Sequence, residues 1–290
     1  MSFYSYDPQS LGKHGKSFYW ASFFLPNKNK GAASELYSIC RYFDDLADET
    51  SKDQSEKLKA EYEQICNNDE HPISKFFKNH GISIEILGDL IKGLIQDQKL
   101  VRIQKEKDLI EYSYQVAGTV GLMMQPLILV NNKKANKHAI DLGIAMQLTN
   151  IARDIYEDAT MNRVYLPKEW LKNISIEQLK NDSTHEIQLQ MSKILKKLIN
   201  LSEIYYQNGF SGMRYIPIKT RLTIFFAAKI YRAIGMKIKN NKYQYSNKRI
   251  YLNNFNKLWV TIISLPEFLF LNMIYRSYTP IRDSFINENL

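Results

Sequence analysis

The chain has 290 residues, with 39 Lys and Arg against 30 Asp and Glu, for a formal net charge of +9. Only 12 Gly and 8 Pro, abundant Leu, Ile and Lys at helical spacing and no alternating Val/Thr runs exclude a sheet-based fold and predict an all-α protein. Cys40 and Cys66 lie far apart outside any paired-cysteine motif, which argues against zinc and a disulfide framework and for free thiols in a reducing cytosol.

Residues 16–25 form an aromatic-rich segment that stops at Pro26, and 31–50 read as a helix. Charged helix-formers follow over 51–82, with a break at Asn67-Asn68-Asp69 and a turn at His71-Pro72. Apolar residues recur at helical spacing over 84–100, and 107–130 read as a long buried helix interrupted by Gly118 and Gly121. A helix over 138–159 comes next, then helices over 176–207 and 219–240 joined by a connection at 209–217. The apolar tail over 258–275 is interrupted by Ser264, Pro266, Glu267 and Asn272. Those interruptions predict a buried C-terminal helix pair in preference to a membrane span, the alternative being an apolar surface that leans on a bilayer. The start of the chain lacks the basic then apolar pattern of a secretory signal, and no stretch holds twenty uninterrupted apolar residues.

Two acidic clusters carry the chemistry: Asp44-Asp45-Leu46-Ala47-Asp48 and Asp154-Ile155-Tyr156-Glu157-Asp158. On a helix, i and i+4 side chains share a face roughly 6 Å apart along the axis, so Asp44 with Asp48 and Asp154 with Asp158 form two claws of carboxylates. Asn150 extends the second row to i, i+4, i+8, and Gln147 lies one turn earlier. Magnesium takes one or two protein carboxylates and fills its other positions with water and phosphate oxygens, so two facing claws suit a diphosphate held between them. Both claws around one cavity require one domain over 1–290, although length alone admits two. Arg41, one turn before Asp44, and Arg153, next to Asp154, suit diphosphate oxygens not taken by metal. Between residues 204 and 266 there is no Asp or Glu, a basic stretch suited to nucleic acid, acidic headgroups or a phosphorylated substrate. No zinc finger, RNP-like motif or helix-turn-helix signature favours nucleic acid.

Around the second claw the chain reads Gln147-Leu148-Thr149-Asn150-Ile151-Ala152-Arg153-Asp154, continuing to Asn162-Arg163-Val164-Tyr165-Leu166-Pro167. Upstream stand Tyr112-Ser113-Tyr114-Gln115-Val116-Ala117-Gly118-Thr119-Val120-Gly121, His14-Gly15-Lys16-Ser17-Phe18 and Tyr37-Ser38-Ile39-Cys40-Arg41. In order and spacing these resemble the squalene/phytoene synthase family of head-to-head prenyl-diphosphate synthases, over about residues 12–260. The resemblance implies an isoprenoid-synthase helical bundle with a central cavity. It implies Asp44, Asp48, Asn150, Asp154 and Asp158 as ligands of Mg2+, with Mn2+ as a substitute. It assigns substrate contacts to His14, Gly15, Lys16, Ser17, Tyr37, Arg41, Gln147, Arg153 and Tyr231. Gly15 departs from the Ser of many relatives and forfeits a hydroxyl contact. His14 has no second His nearby and is not read as a ligand.

The stretch Ala227-Ala228-Lys229-Ile230-Tyr231-Arg232-Ala233-Ile234-Gly235 resembles the bacterial phytoene branch, which implies two geranylgeranyl diphosphates and a C40 product of carotenoid biosynthesis. The alternative is two farnesyl diphosphates giving dehydrosqualene or squalene, the latter with NADPH. A non-catalytic assembly-factor role is the other alternative, opposed by the intact claws. Phe18, Tyr19, Trp20, Phe23, Phe43, Tyr112, Tyr114 and Phe226 are candidates to line a dry cavity, with Phe18 and Tyr37 favoured. Gly118 and Gly121 serve either close helix packing or an opening for a prenyl chain. Lipid substrates imply a cytoplasmic protein bound peripherally to the inner face of the membrane. Oligomeric state is not legible.

Overall fold

The computed structural model describes residues 25–48, 53–99, 101–181 and 184–270. Helix α1 (Asn27–Asp48) carries the first claw, beginning directly after Pro26. Then come α2 (Ser55–Asn67) and α3 (Pro72–His80), the latter started by Pro72 in the first turn and by the His71 ring, which accepts from the Ile73 amide. Gly81 closes α3 at φ 63°, a left-handed conformation that costs glycine no Cβ clash. Helix α4 (Ile84–Asp97) leads to α5 (Glu106–Ser113), a π-helical turn over Tyr114–Gly118, and α6 (Thr119–Leu127). After a short 3₁₀ turn, α7 (Asn136–Thr160) carries the second claw. Two short helices, α8 (Lys168–Leu171) and α9 (Ile176–Lys180), precede α10 (His185–Ser211), α11 (Ile218–Asn240) and α12 (Asn254–Leu269).

Helix α7 is the centre of the bundle, packed by α10, α6, the π turn and α11. Several of its buried polar groups find partners on α10. The His138 ring hydrogen-bonds the Asn208 carbonyl at 2.8 Å, Asn208 donates to Asp141, and the Thr149 and Tyr206 hydroxyls meet at 3.0 Å. One large apolar core draws on residues from Leu36 to Tyr245. Among the described residues the sole β-like contact is the parallel bridge of Arg102 with Val164, which ties the loop after α7 to the loop after α4.

Four expectations change. The helix expected over 176–207 is two helices, because α9 ends at Lys180 and α10 starts at His185; Asn181-Asp182-Ser183-Thr184 is a run of turn-formers. The connection expected over 209–217 is helical to Ser211 and 3₁₀ to Tyr215. The helix expected over 107–130 is interrupted as a π turn over Tyr114–Gly118, and its glycines serve close packing. A Cβ on Gly121 would lie 2.3 Å from the Ala139 carbonyl oxygen, and one on Gly143 equally close to that of Ala117, so α6 and the π turn touch α7 backbone to backbone. Gly121 therefore lets α6 approach α7 while it also borders the cavity, and Gly121→Leu would push the two helices apart. Finally, the tail expected over 258–275 is described as far as Phe270, where α12 exposes its large apolar side chains instead of burying them, and 271–275 lie outside the described residues.

Candidate active site

A cavity of about 380 Å³ runs through the bundle. Its polar end is formed by Tyr37, Cys40 and Asp44 of α1, Gln147 and Asn150 of α7, and Tyr231 of α11. From there it is walled by Val116, Ala117, Val120, Gly121 and Met124, the residues that the π turn and α6 present between α1 and α7. The far end is closed by Leu25, Ala33, Ile128, Val130, Ala135, Ile216 and Ile224, most of them members of a second small apolar cluster. Asp44 and Ala33 are eleven residues apart on α1, which puts about 16 Å between the two ends along the helix. A mostly apolar tube, with Gln125, His138 and Thr223 also in its wall and one charged end, fits a molecule with an anionic head and a long apolar tail.

Around the charged end, acids and bases are interleaved. The Arg153 guanidinium donates to Asp154 Oδ1 at 2.8 Å, and Arg249, from the connection between α11 and α12, reaches the same carboxylate at 2.9 Å. Arg163 lies 3.6 Å from Asp48, and Arg41 pairs with Asp45 one turn along α1. Arg41 Nε and Asn150 Oδ1 are buried without a hydrogen-bond partner, and the Asn150 amide nitrogen donates to Gln147 Oε1 at 3.3 Å. Asp97, at the end of α4, accepts from the Tyr112 and Tyr165 hydroxyls, each at 2.9 Å, while the two rings stack 4.9 Å apart.

Burial is the main influence on the acids. It pushes Asp44 up to about 7, aided by Asp48, Asp45 and Asp97 and opposed by Arg41. Burial, with Asp154 and Asp97, pushes Asp158 up to about 7 against Arg163. Asp97 rises to about 6 for the same reason, its two tyrosine hydrogen bonds and Arg163 holding it back. Burial also raises the Tyr37 phenol to about 12 and that of Tyr231, the latter opposed by Arg153. Around this end the acids Asp44, Asp45, Asp48, Asp97, Asp154 and Asp158 outnumber Arg41, Arg153, Arg163 and Arg249, an arrangement of oxygen donors that suits a cation.

A pH dependence follows. Asp44, Asp97 and Asp158 hold their protons more tightly folded than unfolded, so their contribution to stability is complete below about pH 4 and is lost as pH rises through 6 to 7. Scanning calorimetry of metal-free protein is expected to show Tm falling by several degrees from pH 5 to pH 8. Millimolar Mg2+ is expected to raise Tm more at pH 8 than at pH 5, because ligands must be deprotonated. A flat or rising Tm in metal-free protein would count against this charge arrangement.

Of the residues expected from sequence, Tyr37, Asp44, Gln147, Asn150 and Tyr231 share the cavity wall, and Arg41, Asp48, Arg153, Asp154 and Asp158 lie on the same helices around its charged end. His14, Gly15, Lys16 and Ser17 lie outside the described residues, as do Phe18, Tyr19, Trp20 and Phe23. Phe43 and Phe226 are core residues away from the cavity wall, and Tyr112 and Tyr114 are tied to Asp97 and Asp89. These four are corrected as cavity-lining residues. Asp97 and Arg249 have no role in the sequence reading, and Arg163 only belongs to a motif there. Arg163 and Tyr165, in the Asn162-to-Pro167 stretch, were the available signal for this third acidic position.

The fold and cavity place the protein among the isoprenoid-synthase helical bundles. A dehydrosqualene synthase crystallised with ligand superposes with a TM-score of 0.79 at 28% identity, over 90% of this chain and 94% of that one. Residues 11–256 match the squalene/phytoene synthase family, and the chain belongs to that family. The phytoene synthase of Pseudescherichia vulneris is 30% identical over 250 residues, covering 80% of this chain and 81% of its own. The 15-cis-phytoene synthase of Enterobacter agglomerans is 32% identical over 241 residues, covering 77% and 81%.

Proposed function

We propose that the protein is a phytoene synthase: a prenyltransferase that joins two geranylgeranyl diphosphates head to head, through a cyclopropylcarbinyl diphosphate, to phytoene for carotenoid biosynthesis. The observation that carries this reading is the long apolar cavity ending in Asp44, Gln147 and Asn150, together with bacterial relatives that bear the phytoene synthase name. We read 1–290 as one domain, in keeping with a core that draws on most of the described helices.

The site suits a divalent cation, Mg2+ or Mn2+. Its donors are hard oxygens, and Asn150 Oδ1 is a buried acceptor without a partner. Asp44, Asp48, Asn150, Asp154 and Asp158 are the residues that would hold it. Among the described residues no three His, Cys, Asp or Glu side chains form a ready cluster; Mg2+ takes few protein ligands and fills the rest of its shell with water and phosphate oxygens. When bound, Mg2+ neutralises charge on the departing diphosphate.

The protein's own groups do the rest. Arg41, Arg153 and Arg249 are placed to turn from carboxylates to diphosphate oxygens, and His14, Gly15, Lys16 and Ser17 are the further substrate contacts we assign. In the first half-step the C1–O bond of one substrate breaks, and the 2,3 double bond of the other captures the allylic cation. Loss of a proton then closes the cyclopropane. In the second, the remaining C1–O bond breaks, the carbon skeleton rearranges and a proton leaves. Released diphosphate is a competent proton acceptor. Walls such as Val116, Ala117, Val120 and Met124 keep water from the cation. Tyr37 and Tyr231 present aromatic faces and phenols held neutral at physiological pH.

A C30 reading, two farnesyl diphosphates giving dehydrosqualene, has one observation in its favour, the superposition on a dehydrosqualene synthase. NADPH enters only if the product is squalene. Incubating the protein with each substrate, with and without Mg2+ and NADPH, decides: a metal-dependent C40 triene is expected, and a C30 hydrocarbon alone would replace this reading. No hydrocarbon from either substrate would favour the assembly-factor reading. We place the protein in the cytoplasm, bound peripherally to the inner face of the membrane where both substrate tails and product dissolve. No described helix is long and apolar enough to cross a bilayer.

A further inference from the structure

Helix α12 is built inside out. Its buried residues are Lys257, Thr261 and Ser264, at i, i+4 and i+7, while Phe255, Trp259 and Leu269 are 71%, 56% and 76% exposed. Leu258, Ile262 and Ile263 are exposed as well. Positions 255, 258, 259, 262, 263, 266, 269 and 270 recur at the three- and four-residue spacing of one helix face. That periodic stripe points away from the bundle.

The orientation is fixed by specific contacts. Glu267 accepts two hydrogen bonds from the buried Lys229 ammonium of α11, at 2.7 and 2.6 Å. One residue on, Phe268 packs its ring 5.4 Å from that of Phe225. Rolling α12 to bury its stripe would break this pair and leave Lys229 charged against the Phe210 and Phe225 rings.

We infer that the outward face of α12 is a docking surface for an anionic phospholipid bilayer. Charge selects the occupant. Lys237 and Lys239 in the last turn of α11 and Lys242 and Lys248 in the connection leading into α12 are exposed, and Lys237 donates to the Tyr251 carbonyl at 3.2 Å just before the helix. No Asp or Glu occurs from 204 to 266 to offset them. A second copy of this face would bring like charges together, whereas an anionic headgroup layer complements them while acyl chains receive the stripe. Exposed Trp259 on the stripe and exposed Tyr251 just before the helix suit the headgroup boundary. Helix α11 lies between α12 and the cavity, presenting Thr223, Ile224, Ala227 and Tyr231 to the cavity and Phe225 and Lys229 to α12. Docking through α12 therefore holds the substrate cavity one helix away from the bilayer. The inference deepens the peripheral-membrane part of the proposed function by naming the surface and the lipid.

The test compares sedimentation of wild type and Trp259→Glu/Ile263→Glu with vesicles of phosphatidylglycerol and of pure phosphatidylcholine. Wild type is expected to bind the anionic vesicles and to lose affinity about ten-fold between low and high salt. The double variant is expected to bind them about a hundred-fold more weakly, with unchanged circular dichroism. A Trp259→Phe variant should bind like wild type but lose the quenching of Trp259 by brominated lipid. Equal binding by the double variant overturns the inference, as does equal wild-type binding to neutral vesicles. A concentration-dependent dimer that the double substitution dissolves assigns the face to a second copy and also overturns it. Turnover of detergent-dispersed substrate is the separate readout: vesicle docking through α12 without any hydrocarbon product sinks the enzymatic reading and leaves this one standing.

Discussion

Asp44→Asn is expected to lower metal-dependent turnover of geranylgeranyl diphosphate by about a thousand-fold while leaving the protein folded. Removing one preorganised electrostatic contact to a charge that develops in the transition state costs about 4 kcal/mol, close to three decades in rate. Asp44 is in the position to make such a contribution: it lines the polar end of the cavity, and burial with three neighbouring acids raises it to about 7. The same crowding predicts the opposite effect on stability. Without metal, the ionised carboxylate is repelled by Asp48, Asp45 and Asp97, so the neutral amide should leave Tm unchanged or raise it near pH 8. Function held at the expense of stability is the signature sought. Steady-state rates and calorimetry on the same preparation check both halves. A well-folded variant with wild-type turnover would remove Asp44 from the machinery.

Ala33→Phe is expected to change the length of chain the enzyme accepts. Ala33 sits at the apolar end, about 16 Å along α1 from Asp44, against a small cluster of Leu25, Ile128, Val130 and Ala135. A phenyl ring there fills the last part of the tube, and overpacking a closed apolar end costs about 3 kcal/mol. The cost falls on a C20 tail that needs that space, giving about a hundred-fold loss in kcat/KM. A C15 tail that stops short should be spared, and C30 hydrocarbon should become the main product. Competition between the two substrates, with products separated by mass, makes the shorter one an internal control for folding. Equal losses for both would show that the far end does not measure chain length.

Much of this site was legible in the chain itself. A carboxylate pair at i and i+4 shares a helix face whatever surrounds it, so the claws of Asp44 with Asp48 and Asp154 with Asp158 needed only the helices α1 and α7 to form. Those helices were readable because their apolar residues recur with the helical period. Family motifs carried Tyr37, Gln147, Asn150 and Tyr231 to positions that converge on one cavity.

What escaped depended on contacts between distant segments. Asp97 matters because Tyr112 and Tyr165, from two other parts of the chain, donate to it, and Arg249 because a connection folds back 95 residues onto Asp154. No local pattern encodes either. The apolar stripe of α12 was visible as hydrophobicity, and its burial was the natural expectation. Only packing showed that Glu267 is drawn inward by Lys229 and the stripe faces out. The sequence by itself determined the helices that carry the claws, the acidic rows and the family, because period, spacing and motif are local properties. Tertiary structure alone decided which aromatics line the cavity, how deep it runs, which acids share charge and which way α12 faces, because each is set by a neighbour far away in the chain.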